Sequence, residues 1–422
     1  MTAELPIALR PENLVKLVVN DVEYGGWKSV RITPGIERQA RDFDLEVTDK
    51  WPGQTDIPRR IRPGDACQVF IGEDLVMTGY VDATPIRYDG RSVGVGVRGR
   101  SKTADLVDCC PPDAGQDISG ANAGSWGDVK GPNDKTAKVV KQPKTTASQW
   151  RNQKMEVIAA ALAAPYNVRV FAEVDTGKPI PEHQVQIGET VFESIDRMMR
   201  LRHVLSTDNE YGDLVFVNVG SGGVCSTAIE LGQNILTGNA ALDYKGVFSE
   251  YIVKGQRSGN DQQHGQDVAE EEGRSEEETE TNANGDIASV SDGRATRRRV
   301  LVIKQSGQAD EGTCQDRADY ERAHRAAKAL QTDYKLVGWR QDDGSLWKPN
   351  MMVRVRDALI GFDAEMVIAE VSWIMSSEGL LTEVKVGPPD GYRTKAGQLK
   401  EEKRLKGGGD SWSDVKDKAG RQ

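Results

Sequence analysis

The chain has 422 residues, 37% of them hydrophobic, with a mean hydropathy of −0.55 and a formal net charge of −10. That length suits about two to four domains, and the polarity predicts long solvated insertions. The acidic balance argues against a general nucleic-acid-binding surface, which needs clustered Lys and Arg, and no apolar run approaches the roughly 18 residues of a membrane helix. The opening residues MTAELPIALRPENLVKL lack a basic stretch followed by a long apolar core, so no signal peptide is expected. Cys67, Cys109, Cys110, Cys225 and Cys314 form an odd set without CxxC spacing. They read as reduced thiols of a protein made in the cytoplasm.

In chain order, residues 14–48 alternate as a β meander: Leu14 to Val19, a turn at Asn20-Asp21, Trp27 to Ile32, then Phe43 to Val47 with Phe43, Leu45 and Val47 on one face. Ser101 to Val107 reads as a short helix with Ser101 as N-cap. Residues 111–150 are Pro-, Gly-, Asn-, Ser- and Lys-rich and read as a loop or insertion. Met155 to Leu162 and the stretch from Gly188 to Leu205 have helical spacing, the second with a basic last turn. With strands at Val168 to Phe171 and Leu214 to Val217 they predict a small α+β domain. Further strands are expected at Ile229 to Leu231, Phe248 to Gly255 and Val300 to Lys304, and an Ala-rich helix from Asp316 to Thr332. The intervening run AEEEGRSEEETE buries too little apolar surface to order itself and reads as a loop.

One pattern occurs twice. Pro63 to Gly99 and Pro349 to Gly387 each open on Pro, and an alternating pair follows (Cys67 and Val69; Val353 and Val355). After a turn, Met77, Gly79 and Val81 match Val367, Ala369 and Val371 in phase. Both close on Val-x-Val running into Gly. The fold class expected is α+β, mostly antiparallel β, with two similar β domains, a small α+β domain between them and long polar insertions. The boundaries drawn are 1–110 for the first β domain, 111–150 for the polar insertion and 151–224 for the α+β domain. The second β domain takes 225–255 plus 300–392, with 256–299 a charged insertion and 393–422 a tail.

Gly94-Val95-Gly96-Val97-Arg98-Gly99 matches GxGxxG, but it lies inside an alternating strand and no βαβ unit surrounds it. The glycines are read as permitting close strand approach, not dinucleotide binding. Gly220-Ser221-Gly222-Gly223 is read as a hairpin turn. His183, His203, His264 and His324 share no metal-ligand spacing. Neither HExxH nor GxSxG occurs, and the acidic run at 270–280 lacks a calcium-loop pattern. No catalytic, cofactor or metal residue is therefore assigned. Trp27, Trp51, Trp339, Trp347 and Trp373 fall at strand edges and turns and are expected mainly in the core.

The phrases LVVNDVEYGGWKSVRITPGIERQARDFDLEVTDKWP, PGDACQVFIGEDLVMTGYVD and GRSKTADLVDC resemble the baseplate hub proteins of Mu-like contractile-tailed phages. VQIGETVFESIDRMMR, LGQNIL and FSEYIVKGQ follow in the same order. The resemblance implies a non-enzymatic structural protein of the virion, located in the tail baseplate and assembled in the host cytoplasm. It implies two tube-like β-barrel domains per subunit and a homotrimer matching a six-fold tail tube to a three-fold spike. The partners implied are the tube or tube-initiator protein, the central spike protein and other baseplate proteins. DNA would pass through without specific binding, with no cofactor and no membrane insertion. The alternatives are a tail-borne cell-wall-degrading enzyme and a nucleic-acid-binding protein.

Overall fold

The computed structural model describes residues 10–48, 61–88, 93–117, 138–141, 143–202, 204–256, 287–308 and 311–392. The first β unit contains β1 (Val15–Val19), β2 (Val22–Tyr24), β3 (Ser29–Thr33), β4 (Asp42–Thr48), β5 (Ala66–Ile71), β6 (Asp74–Ala83), β7 (Ile86–Tyr88) and β8 (Val93–Ser101), followed by the short helix α1 (Ala104–Asp108). Alternation decides the faces: Val15, Leu17 and Val19 of β1 and Cys67, Val69 and Ile71 of β5 are buried while their neighbours are not. Asn20 (φ 49°) and Asp21 (φ 62°) are both left-handed, which the tight β1–β2 hairpin requires. Ser101 does not cap a helix as expected. It ends β8, and Thr103 precedes α1. The Ser101 hydroxyl instead accepts from the Arg41 backbone N–H (3.1 Å) and bonds Thr103 Oγ1 (2.8 Å).

The α+β unit contains β9 (Lys138–Val139), β10 (Gln149–Gln153), α2 (Met155–Ala163), β11 (Val170–Ala172), β12 (Ile180–Gln184), α3 (Val191–Arg202), β13 (Leu205–Asp208) and β14 (Leu214–Val217). Ala159, Ala160, Ile158 and Leu162 of α2 meet Val191, Ile195 and Met198 of α3 in one core. Thr190 and Glu193 form a reciprocal capping box at the start of α3, at 3.2 and 2.8 Å. The sheet order is β13-β14-β11-β9, and β10 pairs β12 as a separate ribbon.

The remainder contains β15 (Ile229–Glu230), β16 (Ile235–Ala240), β17 (Glu250–Gln256), β18 (Ile287–Ser291), β19 (Val300–Gln308), α4 (Glu311–Lys328), β20 (Thr332–Val337), β21 (Met352–Asp357), β22 (Phe362–Ser376) and β23 (Gly379–Gly387). Its pairing differs from the division drawn on sequence. Strands β17, β18 and β19 form their own three-stranded sheet with α4 packed on Val253, Ala288 and Val290, so this unit is inserted between β16 and β20 and is not part of the second β sheet. Its edge strand β18 lies within the segment read as a charged loop. That strand, IASVS, is short and small-residued, and it is ordered by pairing with β17 and by burying Ala288 and Val290 against α4.

The second β unit repeats the first. The sheet order β1-β5-β6-β8-β4-β3 recurs as β15-β21-β22-β23-β20-β16, and in both the strands follow the chain in the same sequence. The register recurs too. The pairs Val81↔Gly99, Ala83↔Arg98, Ile86↔Val95 and Tyr88↔Val93 return at one constant offset as Ile368↔Val386, Glu370↔Lys385, Trp373↔Thr382 and Met375↔Leu380. A bulge falls at the corresponding place in each, at Val81/Ala83 and Ile368/Glu370. One departure is that β1 pairs β5 antiparallel whereas β15 pairs β21 parallel.

The two units are not separate sheets. Ile32, Arg31 and Val30 of β3 pair Trp373, Ile374 and Met375 of β22, merging both into one 14-stranded sheet. Among the described residues this sheet is an open path from β16 to β2 and closes nowhere. One continuous core runs along it, from Leu17, Ile32 and Leu45 to Val355, Ile368 and Val386. Trp27, Trp339, Trp347 and Trp373 are buried in that core, and Trp51 lies outside the described residues.

Candidate functional site

Every unit of the molecule meets at the loop 34–41 that links β3 to β4. Toward the second β unit, Ile36 N–H donates to Ala369 O (2.8 Å) and Pro34 O accepts from Val371 N–H (3.0 Å). Gly35 forms a bridge with Glu370, and a Cβ there would sit 3.2 Å from Ala369 O, tighter than most side chains accept. Arg38 Nε reaches Glu370 Oε2 at 2.5 Å and Arg38 Nη1 reaches Asp42 Oδ2 at 3.0 Å. Toward the inserted unit, Lys328 of α4 pairs with Glu37. The Lys328 ammonium also lies 4.3 Å from the Tyr392 ring centre. Ile36, Val367, Ala369 and Tyr392 form a small apolar core beneath these contacts.

Toward the α+β unit the loop is held by buried charge. Gln39 Nε2 donates to Ser206 O (2.9 Å) and its Oε1 accepts from Ser206 Oγ (2.8 Å). Thr207 Oγ1 donates to Gly35 O (3.1 Å). Arg41 Nε donates to Asp208 Oδ1 (3.0 Å), its backbone N–H to Asp208 Oδ2 (3.0 Å), and its Nη2 to Asp208 O (2.8 Å). Its Nη1 donates to Val76 O (3.0 Å). The Asp208 side chain is wholly excluded from solvent. Burial pushes its carboxyl above the ordinary range, and Arg41 and Ser101 oppose that shift. A second buried carboxylate, Asp213, accepts from Arg169 Nη2 (2.6 Å) and lies 3.6 Å from Lys102 Nζ. Burial lowers the Lys102 ammonium, and Asp213 works against that. The β13–β14 hairpin thus carries two aspartates into the first β unit, one at each end of its turn. Such pairs fix geometry more than they add stability, because desolvation offsets much of the attraction.

Asn350 performs the same task at the exit from the α+β unit. Its backbone is left-handed (φ 64°). Its side chain accepts from Gly220 N–H (2.7 Å) and donates to Asn218 O and Ser221 Oγ, both at 2.9 Å. Gly220 to Gly223 is therefore not a hairpin turn: it carries the chain from β14 across to Val224, which bridges Met352 in the other sheet.

The other residues singled out in the sequence do not converge. Gly94, Gly96 and Gly99 all lie within β8. A Cβ on Gly99 would meet Tyr80 O at 2.2 Å and the Phe43 ring at 2.5 Å, so close packing explains that glycine. His183 is buried with Nε2 2.8 Å from Ser194 Oγ. Burial lowers its pKa, helped by Arg197 and opposed by Glu189. His324 stacks on Tyr320 of α4, and burial lowers it too. His203, His264 and the acidic run at 270–280 lie outside the described residues. The five cysteines form no disulfide among the described residues, and burial pushes the Cys225 thiol up to about 12. Among the described residues no group of three or more His, Cys, Asp or Glu side chains is placed to hold a metal ion.

A groove of about 720 Å³ between α3 and α4 is lined by Asp196, Arg200, Arg317, Glu321, His324 and Arg325. Arg200 pairs with Asp196 (2.5 Å), and Arg317 and Arg325 both pair with Glu321 (2.6 and 2.8 Å). The loop 34–41 was not singled out in the sequence. Its one local signal is the density of charge in Glu37-Arg38-Gln39-Ala40-Arg41-Asp42, whose partners are far away in the chain.

Three family descriptions match the chain. Residues 14–101 match "Mu phage baseplate assembly protein GpP-like, N-terminal", 142–218 match "Baseplate hub protein gp44-like, second domain", and 311–395 match "Mu phage baseplate assembly protein GpP, fourth domain". The baseplate hub protein gp44 of Escherichia phage Mu is 30% identical over 404 residues, covering 94% of this chain and 93% of that one. The 43 kDa tail protein of prophage MuSo2 from Shewanella oneidensis superposes with a TM-score of 0.70 at 27% identity, covering 90% of this chain and 99% of the other. A tail protein from Neisseria meningitidis MC58 shares the fold at a TM-score of 0.65 and 19% identity, covering 91% and 98%.

Proposed function

The chain belongs to the baseplate hub family of Mu-like phages, and we propose that it acts as a homotrimeric adaptor joining a six-fold tail tube to a three-fold spike. Its role in the baseplate is structural. The observation that carries the adaptor reading is the doubled sheet: one polypeptide presents the same strand order twice, joined edge to edge by β3 and β22. Three such chains present six like walls, which is the match a three-fold to six-fold junction needs. In the assembly, we propose, the two β units contribute tube-like walls around a channel through which DNA passes without specific binding. The partners are the tube or tube-initiator protein above, the spike protein below and neighbouring baseplate proteins, met in the host cytoplasm during assembly.

The loop 34–41 suits this role because it locks the β units, the α+β unit and the inserted unit into one rigid body, and an adaptor transmits force only if its parts do not slip. The test is the mass of the particle in solution, alone and with the tube and spike proteins. A trimer is expected. A chain that stays monomeric with both partners present overturns the adaptor reading.

A further inference from the structure

The joint between β3 and β22 has a counterpart that is unpaired among the described residues. By strand order and register, β16 is the second unit's equivalent of β3: Ile32, Arg31 and Val30 pair Phe43, Asp44 and Leu45 of β4 as Ala240, Asn239 and Gly238 pair Thr332, Asp333 and Tyr334 of β20. Likewise β7 is the first unit's equivalent of the far end of β22, since Ile86↔Val95 and Tyr88↔Val93 correspond to Trp373↔Thr382 and Met375↔Leu380. In the first pair of equivalents the edges are joined: Trp373↔Ile32, Ile374↔Arg31, Met375↔Val30. In the second pair they are not. Strand β7 pairs only β8, and β16 pairs only β20, among the described residues. Unpaired strand edges expose backbone donors and acceptors that recruit another strand.

We infer that β16 of one copy pairs antiparallel with β7 of the next, in the register Ala240 opposite Ile86, Asn239 opposite Arg87 and Gly238 opposite Tyr88. The occupant is a second copy of this chain, because the same joint already exists within it. Apolar side chains left in solvent mark both edges: Ile86 is 60% exposed and Leu236, at the bulge of β16, is 52% exposed, with Leu242 and Tyr244 exposed just beyond. Each copy has one edge of each kind, β16 at the end of the sheet in the second unit and β7 beside β8 in the first, so the contact is head-to-tail and closes only as a ring. The inference rests on the trimeric reading above, and it adds which strands meet and in what register.

The test is a cysteine pair in the full chain. Ile86→Cys with Ala240→Cys, mildly oxidised, is expected to give disulfide-linked species up to three times the 46.2 kDa chain mass. Directly opposed residues lie close enough for this, so the yield is expected to be about tenfold above both the unsubstituted chain and the shifted pair Ile86→Cys with Thr237→Cys. Ile86→Asp, at an exposed position, is expected to leave the melting temperature of the separated chain unchanged while raising the concentration needed for assembly about tenfold. A trimer by mass with no cross-link above the baseline overturns this joint and leaves the trimer standing. A cross-link confined to single chains also overturns it. A chain that is monomeric throughout overturns both.

Discussion

The Arg41 guanidinium lies 3.0 Å from the Asp208 carboxylate, in a place where the aspartate has no contact with solvent. Arg41 ends the loop between β3 and β4, and Asp208 ends β13, so one ion pair binds the first β unit to the α+β unit. Its neighbours extend the bond: Ser101 bridges to Arg41, and Asp213 gathers Arg169 and Lys102 at the other end of the hairpin. The relative placement of the units therefore depends on charges that are satisfied only when all are assembled.

Breaking that pair from one side should be costly. Asp208→Ala leaves a guanidinium buried without its acid and is expected to lower unfolding stability by about 3–5 kcal/mol. Replacing both partners with apolar residues, as in Arg41→Met with Asp208→Leu, is expected to cost much less than the single change. Urea denaturation of the three proteins checks the order. Equal losses for the single and double variants would mean that the site acts by packing alone.

Glycine packing between β6 and β8 gives a graded prediction. A Cβ on Gly79 would stand 1.9 Å from Arg100 O, against 3.3 Å from the movable Glu46 carboxylate for Gly94. Gly79→Ala should therefore cost about 1–3 kcal/mol or prevent folding, while Gly94→Ala should stay within about 0.5 kcal/mol. Melting temperatures separate them. Loss of stability at Gly94 equal to that at Gly79 would contradict the packing account of the GxGxxG stretch.

Much of this was legible from sequence, and the limits have physical causes. Alternation at Val15, Leu17 and Val19, the turn at Asn20-Asp21 and the alternating pairs Cys67/Val69 and Val353/Val355 are local signals, and the strands stand where they predict. The phase drawn for Met77 and Val367 does not hold: the register sets Val81 against Ile368, so Val367 and Ala369 face a separate apolar cluster. Pairing between distant strands is not local. Nothing in Ser29–Thr33 announces that its free edge meets Trp373 to Met375, and nothing in Glu250–Gln256 says that it leaves the large sheet for its own. The buried pairs were hidden for the same reason, since Arg41 and Asp208 are 167 residues apart. Ser101 misled because a serine before a short helix is a common cap, whereas here the strand continues through it.

One buried and one half-buried histidine predict acid sensitivity. The pKa values of His183 and His324 are both lowered in the folded chain, chiefly by burial. Below the ordinary value of about 6.5 the unfolded chain binds a proton that the folded chain refuses. Stability should therefore fall as pH drops from 7 toward 5, with the loss ending once the folded-state values are passed. His183→Gln, which keeps a partner for Ser194, should lose less melting temperature between pH 7 and pH 5 than the unsubstituted chain. An identical loss would remove His183 as a source.

Asn350 offers the sharpest separation of backbone from side chain. Its φ of 64° costs an ordinary residue about 1–2 kcal/mol, and its amide holds Gly220, Asn218 and Ser221 at 2.7 to 2.9 Å. Asn350→Gly removes the three hydrogen bonds and keeps an easy backbone. Asn350→Ala removes them and adds the strain, so alanine should be the worse by about 1 kcal/mol in urea denaturation. Both should loosen the crossing from β14 to Val224, read as faster amide exchange at Gly220 and Gly222, whose N–H groups donate to Asn350. If glycine proved as damaging as alanine, the left-handed backbone would carry no weight and the side chain alone would hold the crossing.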